Sequence, residues 1–175
     1  MLQTWFGKKA SVATESDVTV KDRSKLRVGI PKVLNIWTTH QFWVAFLKDL
    51  GIASENIIFS SDTSEEQGRE YGKGRGTVDC CYPVKAISGH YGELLFGQKN
   101  KINILLSPMI HSLPSVLHGH VVDTVTCTRV MAGPENIKAG FLKESDVFAE
   151  NNVVSEELLA VKRAFFSLPK SGPEK

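Results

Sequence analysis

Hydrophobic and polar positions follow two rhythms along this chain, and each change of rhythm marks an element. Leu26-Arg27-Val28-Gly29-Ile30 alternates apolar with small or polar residues, the period of a strand, and Pro31 ends it because proline has no N–H to give a sheet ladder. Between Thr39 and Leu50 the apolar residues fall at 42/46/50 and 43/47/50, a helical spacing, and Gly51 supplies the stop. Ile57-Ile58-Phe59 predicts a second strand, and Ser64-Glu65-Glu66 opens a helix that frays at Gly72. Gly72, Gly74 and Gly76 predict a flexible loop. Thr77 to Cys81 reads as a short strand running into a helix, with Pro83 in the first turn, where its missing N–H costs little. Val84, Ile87, His90, Tyr91, Leu94 and Leu95 continue that helix at three- and four-residue steps up to Gly97. Ile102 to Leu106 reads as a buried strand stopped by Ser107-Pro108. Residues 111–120 read as an irregular segment, Val121 to Cys127 as another strand and Pro134 to Phe141 as another helix start.

Strand and helix patterns thus alternate from Leu26 to Phe141, which predicts an α/β fold: a mostly parallel sheet flanked by helices, Rossmann-like. Residues 1–25 are polar and patternless and read as a flexible leader or linker; residues 26–150 form the cysteine-motif domain. Residues 151–175 read as a divergent C-terminal helix and a disordered tail, the tail beginning at Ser167. Ligands of such sheets sit beyond the carboxyl ends of the strands. The Cys80/Cys81 pair, Cys127 and the Ser107-Pro108 turn all fall at expected strand ends, so the pattern predicts one shared site.

Composition narrows the classes. With 175 residues, 42% hydrophobic and 23% charged, the chain can bury a real core. A formal charge of +2, with Lys and Arg scattered, argues against nucleic acid, which selects a clustered basic face. No apolar run reaches the roughly 18 residues of a membrane span, and Met1 to Ala10 holds no secretory signal. The expected compartment is the reducing cytoplasm, where three cysteines, an odd number, do not form a disulfide framework.

Asp79-Cys80-Cys81-Tyr82-Pro83 puts a thiol just before a helix, whose N-terminal N–H groups and partial positive charge favour the thiolate that a metal or cluster requires. Spacing alone does not assign a metal: there is no Cys-x-x-Cys, and free cysteines are among the most buried residue types. His90 reads first as a packed helix histidine. His118 and His120 could bind zinc with a cysteine, but no third and fourth ligands are evident. Cys127 as a nucleophile lacks an identified base. Gly72-Lys73-Gly74-Arg75-Gly76 looks like a fragment of a phosphate cradle without the strand–loop–helix context; Lys73 and Arg75 could still attract an anion such as a CoA phosphate.

Several motifs in order carry a resemblance. Arg27-Val28-Gly29-Ile30-Pro31-Lys32-Val33-Leu34-Asn35, Phe42-Trp43, Val78-Asp79-Cys80-Cys81-Tyr82-Pro83-Val84-Lys85 with Ser88-Gly89-His90, Cys127-Thr128-Arg129-Val130 with Gly133-Pro134-Glu135-Asn136, and Lys143 to Glu150 together resemble acyl-CoA dehydratase activase-related proteins. The resemblance covers about Leu26 to Glu150. It implies kinship with the cluster-bearing subunits of 2-hydroxyacyl-CoA dehydratases and double-cubane proteins, which use a low-potential iron–sulfur cluster reduced by an ATP-hydrolysing activase. On that kinship Cys81 and Cys127 are the cluster thiolates, Cys80 is a secondary candidate, and the turn at Ser107-Pro108 lines the site. The implied cofactor is a [4Fe-4S] or double-cubane cluster, incomplete with this chain's ligands alone, since a cubane takes four. A partner chain such as the activase ATPase, other domains of the same system, a second copy or a non-protein ligand would complete it. The chain lacks ATP-binding motifs, and Thr128 replaces the proline that usually follows the second cysteine. The competing expectation is a non-catalytic α/β interaction domain or a truncated remnant without a complete cluster.

Overall fold

A computed structural model describes residues 23–76, 80–97, 101–113, 124–156 and 159–160. Its centre is a four-stranded parallel sheet, β1 (Val28–Ile30), β2 (Ile57–Phe59), β3 (Ile104–Leu106) and β7 (Val154–Glu156), in the order β2-β1-β3-β7. Val28 pairs with Ile57 on one side and Ile104 on the other, and Ile104 pairs with Val154. The α/β, Rossmann-like expectation therefore holds.

Alternation along each strand assigns the two faces. Val28, Ile30 and Leu106, with Ile57 and Phe59 at the margin, pack on one face against Trp43 and Leu47 of α1 (Ile36–Asp49). Leu105 and Ile58 point the other way, into a larger cluster. That cluster joins Val84, Ile87, Tyr91, Leu94 and Leu95 of α3 (Tyr82–Phe96) to Ile137 and Phe141 of α5 (Gly133–Phe141) and to Val147 and Phe148 of α6 (Val147–Glu150). Gly29 lies between Val28 and Ile30 and faces this second layer: a Cβ there would stand 2.8 Å from Ile102 Cδ1 and 3.3 Å from Leu94 Cδ2. The absent side chain is what lets α3 settle onto the middle of the sheet. The helix α2 (Glu65–Tyr71), capped by the Ser64 hydroxyl accepting from Gln67 N–H, packs along α3.

Several expectations change. Helix α1 begins at Ile36, a turn before Thr39, because Ile36 and Thr39 are buried while the exposed Trp37 and Thr38 interrupt the apolar pattern. Cys80 and Cys81 end no strand: Cys80 is a bend and Cys81 is the N-cap of α3, while residues 77–79 of that expected strand lie outside the described ones. The expected Val121–Cys127 strand is, among the described residues, only β6 (Thr124–Val125). It pairs antiparallel with β5 (Ser112–Leu113), apart from the central sheet, and Cys127 instead caps the short helix α4 (Thr128–Met131). A run of Val and Thr favours extended backbone wherever it pairs, so its sequence does not reveal its partner. The sheet's fourth strand, β7, comes from beyond the expected boundary at 150. After it, β8 (Leu159–Ala160) pairs in parallel with β4 (Met109–Ile110). The leader before residue 23, the loop 114–123 with His118 and His120, and the tail from 161 lie outside the described residues.

Candidate functional site

The strand order reverses direction between β1 and β3: from β1 the chain goes outward to β2, then returns to place β3 on the other side. Loops leaving two such neighbours diverge and leave a crevice at their carboxyl ends. A pocket lies there. Its walls are Pro31, Leu34 and Asn35 after β1, Ser107 and Pro108 after β3, and Val130 of α4. Its enclosed volume is about 20 Å³, enough for one water. Ser107 and Pro108 are both buried and line this crevice.

Local backbone rules bend at this edge. Leu34 has φ of 53°, the left-handed region that a branched side chain rarely adopts. Asn35 is the N-cap of α1, yet its side chain makes no cap hydrogen bond. Its Nδ2 instead donates to Thr126 Oγ1 at 3.2 Å, tying the start of α1 to the residue before Cys127. Neither feature has a signal in the apolar pattern.

None of the three cysteines lines this crevice; Cys127 lies between Thr126, which bonds Asn35 of its wall, and Val130 of its wall. Cys81 and Cys127 are exposed at the N-caps of α3 and α4, and Cys80 is half-buried against the larger core. Both helices abut α5, and Gly133 at its start faces Val84 and Ile87, in the first and second turns of α3. The thiol of Cys127 lies under the backbone N–H groups of Val130 and Arg129 without closing a full cap hydrogen bond. Those N–H dipoles, with a smaller contribution from the Arg129 charge, hold its pKa below the ordinary thiol value against a small opposing desolvation. These contacts favour ionisation of the Cys127 thiol. Among the described residues no group of three or more His, Cys, Asp and Glu side chains converges where it could hold a metal ion.

The histidine of the third motif belongs to a different structure. His90 is fully buried in α3. Ser60 Oγ accepts from the backbone N–H of Lys32 at 2.8 Å and lies 2.7 Å from His90 Nδ1. Thr63 Oγ1 lies 2.9 Å from Nε2 on the other side of the ring, and which nitrogen donates follows the ring tautomer. Gln67 Nε2 donates to Glu93 at 2.6 Å and reaches His90 Nδ1 at 3.3 Å, while both Glu93 oxygens accept from Ser61 N–H at 3.1 Å. Desolvation drives the His90 pKa down to about 4, against the opposing charges of Glu93 and Asp62. This is the packed histidine of the sequence reading; its partners were not foreseen.

A parallel α/β domain with exposed cysteines at two helix starts is the class this geometry defines. The chain belongs to the CoA enzyme activase uncharacterised domain family (DUF2229), which it matches over residues 27–170. The match corrects the expectation that the family pattern ends near Glu150. Among curated proteins and among solved structures, none matches this chain. No helix among the described residues is long and apolar enough to cross a membrane.

Proposed function

We propose that this domain serves a 2-hydroxyacyl-CoA dehydratase or ATP-dependent reductase-like system in the cytoplasm as an iron–sulfur-binding module for low-potential electron transfer. The observation that carries the reading is the placement of Cys127, an exposed thiol whose pKa is lowered by backbone N–H groups, as a helix cap beside the crevice at the sheet's carboxyl edge. Cys81, exposed at the start of α3, is the second proposed ligand. When bound, a [4Fe-4S] or double-cubane cluster would supply the reducing electrons. Cys80, half-buried at a bend, is a reserve donor, and Ser107 and Pro108 shape the adjoining wall. With three cysteines in the chain, the remaining ligands would come from the activase ATPase, another domain of the system, a second copy or a non-protein group.

A second reading has its own support. No three potential ligands converge among the described residues, which favours a non-catalytic interaction domain that retains the fold. Iron and acid-labile sulfide, measured per chain after strictly anaerobic purification, separate the two. Near-stoichiometric iron, lost in both Cys81→Ala and Cys127→Ala, is expected for the cluster module. A folded, colourless, iron-free protein with three free thiols would overturn it in favour of the interaction domain.

A further inference from the structure

The glycine-rich segment 72–76 finds in the structure the context its sequence lacks. Residues Lys73 to Arg75 form one wall of a cleft of about 160 Å³, and Gly140, Phe141, Lys143 and Glu144 form the other. That volume suits a small anion and falls short of the roughly 300 Å³ at which pockets for drug-sized ligands begin. Gly140 permits the two walls to meet, since a Cβ there would run into the carbonyl oxygen of Arg75. Gly74 turns the loop with φ of +76°.

Arg75 is the pivotal side chain. Its guanidinium lies 5.1 Å from the centre of the Phe96 ring and 4.9 Å from that of Phe141, and those rings are themselves stacked. Aromatic faces fix the plane of an arginine without using its N–H donors. Among the described residues the Arg75 guanidinium makes no hydrogen bond or ion pair. The cleft thus holds three cations, Lys73, Arg75 and Lys143, against one carboxylate, Glu144. Asp146, nearby, is engaged as the cap of α6, accepting from Ala149 N–H at 3.0 Å. The end of α5 contributes only about half a negative charge, which one cation would balance.

We infer that this cleft is an anion site that takes a phosphate group, held by the planar fork of Arg75 and flanked by Lys73 and Lys143. It sits beside Phe96 at the far end of α3 from Cys81, about 22 Å along a helix of 15 residues at about 1.5 Å per residue, so it stands whether or not the cysteines bind metal. The ligand chemistry is a phosphate monoester or a diphosphate, and a nucleotide-bearing thioester carrier such as CoA contains both.

The test is a titration of the isotope-labelled protein with inorganic phosphate, then inorganic diphosphate, at constant ionic strength, following backbone amide NMR shifts. Saturable shifts confined to residues 73–76 and 140–145 are expected. Arg75→Ala should weaken the apparent affinity at least about tenfold, and Arg75→Lys, which keeps charge but not the fork, should recover only part. Lys73→Ala and Lys143→Ala change exposed side chains that carry no core packing, so each should weaken binding several-fold in a folded protein. CoA and 3′-dephospho-CoA then separate the sources: a preference for CoA assigns the monoester, and equal binding assigns the diphosphate. Absence of saturable shifts, or shifts unaltered in all three alanine variants, would overturn the site and leave the cations as counter-charges to the ends of α3 and α5.

Discussion

The carboxyl edge of the sheet is built in two contrasting ways. Beside β2, the groups around His90 satisfy one another: two serines, a threonine, a glutamine and a glutamate close a network with the imidazole at its buried centre. After β1 the chain carries a left-handed leucine and an asparagine that gives up its local cap, and exposed cysteines stand at the starts of α3 and α4. The first arrangement spends its polar groups on holding α2, α3 and the loop after β2 together. The second leaves its reactive groups facing outward. The difference separates a histidine locked into a buried network from cysteines left exposed at helix starts, although both lie in equally prominent sequence motifs.

Removal of side chains should show the contrast most strongly. His90→Ala would leave a cavity and orphan the Ser60 and Thr63 hydroxyls, at a cost of about 4 kcal/mol in denaturant unfolding. Cys127→Ala, at an exposed position, should cost less than about 1 kcal/mol. Equal losses would erase the distinction.

A smaller effect is expected from pH. His90 has a folded pKa of about 4 and an unfolded value near 6.5, so the unfolded chain binds the extra proton between them. Its contribution is fully present above pH 6.5 and is lost as pH falls towards 4, up to roughly 3 kcal/mol. Lys32, Asp62 and Glu93 face the same corner, with Lys32 paired to Asp62 at 3.2 Å, so the profile should be compared with that of His90→Gln. A variant whose profile kept the same slope over that window would remove His90 as its source.

The smallest effect sharpens the cysteine side alone. Cys127, with its lowered pKa, should react with a thiol-directed alkylating agent along a pH–rate curve displaced to lower pH than that of the same thiol in the urea-unfolded chain. Coincident pH–rate curves for the folded and unfolded chain would show that the N–H groups of Val130 and Arg129 do not stabilise the thiolate.

The central strands and α3 were legible in the sequence because burial on both faces, or along one helical stripe, writes its own period into the chain. Strand β7 was not: it is three residues long, and its Val154 is 56% exposed, so it has no pattern to detect. The His90 partners were equally hidden, being 23 to 30 residues away in sequence and brought together only when α2 packs on α3. The cysteine placement was half legible. Pro83 after Cys81 announces a helix start, whereas the run before Cys127 looks extended and conceals the cap that follows.

The order of the sheet also sets when it can assemble. Strand β1 gains β2 after one helix, but β3 lies 76 positions beyond β1, at Ile104, and follows α3, the helix that covers it. The other edge of β3 stays open until Val154 arrives, and the last seal on the larger core, Val147, Phe148 and Val153, reaches it at the same moment. A nascent chain would therefore emerge with a row of unpaired Ile104–Leu106 backbone groups exposed for about fifty residues of synthesis, the interval in which a parallel sheet is most open to wrong pairing. Completion of this domain is a late, long-range event, set by the last parallel strand to be made.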